Sequence, residues 1–268
     1  MNYNEIISLV YQAREIVFSE SKRSQVSHKN PYDFVTAVDT GISDFLKQEL
    51  GIRYPEVGFM TEEEDVHTIT DQMFILDPID GTTNLVYQYQ MSSISLAYAE
   101  GGVVVFGVVF NPFTKEMFFG IKGKGSYRIS TEQGIDALLA VGVENYNEAP
   151  LCCSKRPLNL AIVEFGASVS HKEMSKETFE RAERVFSHCL DLRRICSSAI
   201  SVCYIAAGRL DGYFEKVIKP WDYAAATLIL SEAGGRCSTW QGQPLPLDRE
   251  GTIICSNGVI HDELLSLI

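Results

Sequence analysis

The chain has 268 residues, 46% of them hydrophobic, enough to bury a sizeable core as one large domain or two fused ones. Its formal net charge of -12 and pI of about 4.9 argue against a nucleic-acid-binding surface, which needs Lys and Arg to neutralise phosphates. A small phosphorylated substrate is still open to so acidic a chain, provided bound metal ions supply the positive charge at the site.

Ile6, Ile7, Val10, Ala13, Ile16 and Val17 recur at helical spacing and predict an opening amphipathic helix. VDTGISDFLKQELG repeats the pattern through Ile42, Phe45, Leu46 and Leu50, with Gly51 at the expected C-cap. MFILD reads as a short buried strand. Three strand-like runs follow, parted by Gly101-Gly102 and by Asn111-Pro112, so the first half is expected to be a sheet flanked by helices. From about Cys152 the rhythm changes. NLAIVEFG predicts a strand, SKETFERAERVFSHCL a helix capped by Ser175, DLRRI an extended stretch and SSAISVCYIAAGRL a nearly all-apolar helix. DGYFE predicts a strand, WDYAAATLILSEAGG a buried helix stopped by glycines and TIICSN a last strand, an α/β alternation. The polar stretch 143–157 is the expected seam, dividing the chain into halves 1–146 and 147–268 that are fused as one globular unit.

The seven cysteines lack paired C-x-x-C spacing, which argues against a zinc site or disulfide framework and for reduced thiols. The N-terminus has no basic n-region, and no apolar run approaches the ~18 residues of a membrane span. A soluble, cytoplasmic protein without a membrane or nucleic-acid partner is expected.

In DPIDGTTN, Asp77 is expected to end the buried strand, with Pro78 stopping its pairing and fixing the local backbone angle. The turn then returns Asp80 to the same side, where two carboxylates at i and i+3 can share one cation or bridge two. Gly81 permits close backbone approach, and the amides of Gly81, Thr82 and Thr83 can form an anion-binding helix start. Taken alone, D-x-x-D-G reads as well as a polar turn. The run Glu62, Glu63 and Glu64 reads as solvated surface, and Asp222 as the cap of its helix. Each plain reading stands by itself, and none explains the other two.

Together the motifs resemble one family. DPIDGTTN matches the metal-binding motif of the inositol monophosphatase family without a break. WDYAAATLILSEAGG is close to its second signature, DFVTAVD resembles its D-x-V-T-x-x-D element, and FMTEEE resembles its G-E-E segment. Order and spacing also fit, over essentially the whole chain. The resemblance implies an α/β fold, a layered αβαβα sandwich of the inositol monophosphatase and fructose-1,6-bisphosphatase type. It also implies a Mg2+-dependent, lithium-sensitive phosphomonoesterase that forms homodimers. By the same resemblance Glu62, Asp77 and the Ile79 carbonyl would hold a first metal, and Asp77, Asp80 and Asp222 a second. Thr82 would position the attacking water and Asp39 would hydrogen-bond Thr82, forming with Glu62 the catalytic group. Asp80 and the amides of Gly81, Thr82 and Thr83 would face the phosphate, Ser198 would line the substrate pocket, and Glu215 would contact substrate hydroxyls.

Elementary chemistry agrees with those roles. So many carboxylates repel a phosphate dianion until two or three Mg2+ reverse the sign of the field. Oxygen ligands without a Cys/His cluster favour Mg2+ over zinc. Two metals roughly 3.5–4 Å apart can activate a water and stabilise the departing alkoxide. Inositol-1-phosphate is the expected substrate. Fructose-1,6-bisphosphate, 3'-phosphoadenosine-5'-phosphate and histidinol phosphate are alternatives on the same scaffold, and a non-catalytic role in a transcription complex is the alternative of another class.

Several positions depart from the family pattern. Thr61 stands where G-E-E has glycine, Cys196 and Ser197 stand where a G-[ST]-A turn is common, and LVYQYQMSS replaces an N-[FY]-x-H-x-x-P segment. Lys216 adds a cation that can meet a second phosphate, although an exposed lysine is more often simply solvated. The cysteines are expected as small core residues or inert thiols, the five histidines at the surface, and KGKG at 122–125 as a turn.

Overall fold

Helices and sheets stack in the order helix, sheet, helix, sheet, helix. The computed structural model describes residues 1–19, 25–30, 33–64, 67 and 69–268, with the side chains of all of these except 28–30 and 33. The first layer is α1 (Tyr3–Gln12), its short continuation α2 (Arg14–Val17), and α3 (Ala37–Arg53). Thr36 and Asp39 form a capping box at the head of α3. Ile6, Ile7 and Val10 with Ile42, Leu46 and Leu50 form the apolar stripes that bury against the first sheet.

β1 (Val26–Asn30) and β2 (Asp33–Thr36) make a separate antiparallel ribbon. The first sheet is β3 (Gly58–Thr61), β4 (Gln72–Asp80), β5 (Ser93–Glu100), β6 (Val103–Asn111), β7 (Glu116–Ile121) and β8 (Gly125–Ser130), side by side in chain order. β3 and β4 pair in parallel and the others antiparallel. Side-chain alternation divides β4 between two cores: Phe74 and Leu76 face the first helical layer, Met73 and Ile75 the opposite one. α4 (Thr82–Val86) leaves the end of β4, and α5 (Thr131–Val141) leaves β8.

The middle layer is α7 (Ser198–Ala206) and α8 (Pro220–Glu232). Both are apolar nearly all round because each lies between two sheets. Val202, Cys203, Ala225 and Ile229 bury against Met73, Ile75 and Val109 on one side and Tyr213, Ile253 and Cys255 on the other. The second sheet has the order β10 (Asp191–Arg193), β9 (Ile162–Phe165), β11 (Gly212–Ile218), β13 (Gly251–Ser256), β12 (Arg236–Ser238). α6 (Ser175–Phe186) and α9 (His261–Leu267) close its outer face, with Ala182, Val185 and Leu264 on Val163, Phe214 and Ile254. The architecture is the expected αβαβα sandwich.

Some local expectations are corrected. β4 continues past Asp77 through Pro78 to Asp80, and its pairing with β5 absorbs one extra residue between Asp77 opposite Ser95 and Asp80 opposite Ser93. A bulge tolerates a proline because no ladder donor is needed there. α3 runs through Gly51 to Arg53, so Gly51 sits in the last turn and not at the cap. α6 begins at Ser175 itself, without a side-chain cap. His261 is buried, its Nε2 3.0 Å from Ser238 Oγ and its Nδ1 3.0 Å from Ser256 Oγ, because a ring satisfied at both nitrogens can leave the surface. The KGKG segment is the β7–β8 turn, and the amides of Gly123 and Gly125 both donate to Glu232. Among the described residues no helix is long and apolar enough to cross a membrane.

Candidate active site

The bulge in β4 delivers two buried aspartates, Asp77 and Asp80, to the rim between the two sheets. Gly81 then turns the chain with φ at +87°, and a Cβ there would stand 3.0 Å from the carbonyl oxygens of both Met91 and Cys196. Glycine is required on both counts. The first turns of α4, α7 and α8 meet β4 around one cleft of about 320 Å3. Glu62, Asp77, Ile79, Asp80, Gly81, Thr82, Thr83, Ser198, Glu215 and Asp222 all line it. Asp39 stands one step behind: its Oδ1 accepts from the Thr82 hydroxyl at 3.0 Å, and its Oδ2 from the Thr36 amide at 2.8 Å. The cleft thus brings together residues spread from α3 to α8.

The Glu62 amide donates to the Leu76 carbonyl at 3.3 Å, extending the β3–β4 ladder. This seats Glu62 on the cleft wall, where Glu63 does not reach. Thr61 turns its hydroxyl inward, 3.2 Å from Ser43 Oγ, so the residue that replaces glycine there leaves the cleft clear. Asp222 lies in the first turn of α8 and accepts from the Lys219 amide at 2.8 Å, so it does cap its helix while facing the cleft. Asp80 is held from α7: its Oδ2 accepts from the Ala199 amide at 2.9 Å and from the Ser197 hydroxyl, and its Oδ1 from the Ser198 amide at 3.2 Å. Lys216 is not simply solvated. Its ammonium pairs with Glu177, which also holds Arg181, and Lys216 lines a neighbouring cavity of about 300 Å3. That cavity shares Arg194 and Glu215 with the cleft.

Electrostatics single out the same residues. Burial, with Glu62, Asp80, Asp222 and Asp39 nearby, pushes the Asp77 carboxyl well above the usual range. Burial and Glu62 do the same to Asp222. Asp80 rises to about 6 by burial, although its donors from Ser197, Ala199 and Ser198 pull it down. So many buried carboxyls in one place are costly without a compensating positive charge. Among the described residues no three His, Cys, Asp or Glu side chains stand close enough as placed to enclose an ion. The carboxyls surround the cleft instead. The donor set is oxygen throughout (four carboxyls and the Ile79 carbonyl), which suits a hard divalent cation, whose charge would offset the burial and mutual repulsion that raise Asp77, Asp80 and Asp222.

Two residues that bear on the site escaped the sequence reading. Glu164 on β9 and Asn84 on α4 are both buried and reach the loop before α7. Asn84 is the last letter of DPIDGTTN, and that position in a motif is its only sequence signal. Glu164 had one too, a lone acid in an otherwise apolar strand.

A pH dependence follows from carboxyls outside the proposed ligand set. Burial lifts Asp39 to about 6 and Glu164 and Glu215 to about 7. The folded chain therefore holds these protons more tightly than the unfolded one. Their contribution is fully present below the ordinary carboxyl range and is lost as pH climbs through about 6 to 7. With a chelator present, Tm should fall between pH 5.5 and 8, with each buried group costing on the order of 2 kcal/mol once ionised. Thermal melts followed by circular dichroism would check it, and a flat or rising curve would contradict it.

An αβαβα sandwich with an oxygen-lined cleft at the end of a bulged strand is what the resemblance to a family of phosphomonoester hydrolases leads one to expect. The pattern of the inositol monophosphatase family matches residues 3–268, and the chain belongs to that family. It is similar to inositol monophosphatase 2 of Saccharomyces cerevisiae, 34% identical over 239 residues, covering 82% of this chain and 75% of the yeast protein. An inositol-1-monophosphatase of Rhizobium meliloti is 30% identical over 270 residues, covering 99% and 95%. The Nus factor SuhB of Salmonella typhimurium is 32% identical over 224 residues, covering 81% and 76%. Among solved structures, the inositol monophosphatase of Thermotoga maritima superimposes with a TM-score of 0.83 at 28% identity, covering 99% of this chain and 95% of that one. The chain is a phosphomonoesterase of this family.

Proposed function

We propose that the chain hydrolyses the phosphate monoester of a small polyol, with inositol-1-phosphate as the first candidate, in the presence of two or three Mg2+. The observation that supports this reading is the convergence of Glu62, Asp77, the Ile79 carbonyl, Asp80 and Asp222 on one cleft with Thr82 beside them. Glu62, Asp77 and Ile79 would hold one ion, and Asp77, Asp80 and Asp222 another. Bound there, the ions supply a Lewis acid for the phosphate oxygens and acidify a water.

The remaining work falls to the chain itself. The Thr82 hydroxyl has one proton, shared between Asp39 Oδ1 at 3.0 Å and the Ile79 carbonyl at 3.1 Å. Its lone pairs are therefore left to accept from a water, which turns the water's own lone pair towards phosphorus. The Gly81, Thr82 and Thr83 amides are offered to the phosphate as individual donors, since α4 is only five residues long. Ser198 and Glu215 line the same cleft, and on this reading they would contact the leaving alcohol.

The neighbouring cavity gives room for a larger leaving group, which keeps fructose-1,6-bisphosphate, 3'-phosphoadenosine-5'-phosphate and histidinol phosphate as candidates. Lys216 is a weaker anchor for a second phosphate than its charge suggests, because Glu177 already neutralises it. A homodimer, lithium sensitivity and a cytoplasmic location belong to the same proposal. A non-catalytic role is the second reading, favoured by the Nus factor relative at 32% identity.

The test is phosphate release from the four substrates with and without Mg2+. Mg2+-dependent turnover supports the hydrolase, and the ranking by kcat/KM names the substrate. Folded protein that releases phosphate from none of them sinks inositol-1-phosphate and the three alternatives together. A binding partner held without metal, and by the Asp80→Asn variant, would then carry the second reading.

A further inference from the structure

Cys196 lies in the left-handed region, with φ at +64°. For a residue with a side chain this conformation costs on the order of 1–3 kcal/mol, and it persists only where the surroundings enforce it. The enforcing contacts come from both halves of the chain. From α4, Asn84 Nδ2 donates to the Ile195 carbonyl at 2.8 Å and to the Met91 carbonyl at 2.7 Å. From β9, Glu164 Oε1 accepts from the Ile195 amide at 2.6 Å, and the Cys196 amide and Ser201 hydroxyl also lie towards the carboxyl and favour its charged form. Asn84 is 7% exposed and Glu164 1%. Both polar groups of Ile195 are thus gripped by buried side chains from elements far apart in sequence.

The next residues of the same loop supply the donors to Asp80. The Ser201 hydroxyl ties down the Ser197 carbonyl at 2.6 Å, and Ser197, Ser198 and Ala199 then fall on the Asp80 carboxyl. We propose that Asn84 and Glu164 are positioning residues: they clamp Ile195 from two sides and so hold the Ser197–Ala199 donors on Asp80. The consequence for the reaction rests on the phosphatase reading given above, whereas the clamp itself does not. Neither residue is a catalytic group. Glu164 acts through the loop, its carboxyl contributing the acceptor that the Ile195 amide uses.

Charge and acceptor can be separated. Glu164→Gln keeps an oxygen for the Ile195 amide and loses the charge, whereas Glu164→Ala loses both. Hydrogen exchange in chelated, substrate-free protein reads the clamp directly at the Ile195, Ser198 and Ala199 amides. Glu164→Ala should speed their exchange about tenfold or more, and Glu164→Gln should keep it within about threefold of the parent. Asn84→Ala, which opens the other jaw, should reproduce the Glu164→Ala pattern, and it stands in if Glu164→Ala does not fold. In turnover, kcat should fall with KM little changed. The double alanine variant should be about as slow as the worse single one, since both jaws act on one peptide.

Unchanged exchange at Ser198 and Ala199 in the alanine variants would overturn the clamp, as would a Glu164→Gln variant as damaged as Glu164→Ala. Because exchange is read without metal or substrate, a chain that turns over no tested phosphate still reports on the clamp. Conversely, an active enzyme with unchanged exchange would sink the clamp and leave the phosphatase reading standing.

Discussion

Replacing Asp77 with asparagine is expected to lower kcat/KM for the best phosphate monoester by about 10^3-fold or more while making the metal-free protein more stable. Asp77 is 2% exposed, and its carboxyl is pushed up first by burial and then by Glu62, Asp80, Asp222 and Asp39. Asparagine keeps the oxygen that accepts from the Ile79 amide at 3.0 Å, so the bulge geometry survives. It also exchanges a carboxyl disfavoured by burial and by its acidic neighbours for an amide that can donate to those neighbours. Without metal, that relieves the most crowded part of the cleft, and Tm should rise by about 5 °C at pH 8. The gain in Tm that Mg2+ gives the parent should disappear in the variant, since a ligand stabilises only the state that binds it. Two melts per protein, with chelator and with Mg2+, and one rate assay decide the matter. Retained activity with a lower metal-free Tm would mean that Asp77 is a structural residue, and the assignment of the metal site would have to move.

The same opposition between folding and function explains what could be read from the sequence. Only some residues of the cleft were legible because they broke a local pattern, and Ser198 and Glu215 were marked by the family resemblance alone. Asp77 and Asp80 interrupt an apolar strand, and Asp222 heads a helix almost free of charge. The layered core was legible for the opposite reason, because α1, α3 and the β5–β7 meander follow their periodicities closely. Missed elements have weak periodicity: β12 is three residues long, and α5 has a glycine in its TEQGIDALLAV run. His261 was placed wrongly because burial depended on Ser238 and Ser256, which lie on two different strands and which no local pattern links to it. Lys216 was misread for the same reason, its partner Glu177 being on α6. Local signals find the residues that must be where they are. Satisfaction of a polar group by a distant partner belongs to the tertiary fold, and no window of sequence contains it.

That distinction has a direct test in the glycines. Gly107 on β6 faces the backbone of α8: a Cβ there would stand 2.7 Å from the Ala225 carbonyl oxygen and 2.9 Å from its Cα. Backbone cannot step aside as a side chain can, so Gly107→Ala must lift α8 off the sheet. The expected cost is about 2–3 kcal/mol, or a fall in Tm of about 5–10 °C for a domain of this size. Gly107→Val should leave little soluble folded protein. Gly51 provides the contrast, because nothing lies within 4 Å of its Cβ position and it sits in the last turn of α3. Gly51→Ala should stabilise by about 0.5–1 kcal/mol, the ordinary gain of alanine over glycine in a helix. The effect of Gly107→Ala should also reach the cleft, since α8 carries Asp222 and the Lys219 amide that holds it. Its kcat per folded molecule should drop, whereas that of Gly51→Ala should not. If Gly107→Ala melts and turns over like the parent, α8 does not rest on β6 as described, and the middle layer would no longer be what fixes Asp222 over Asp77.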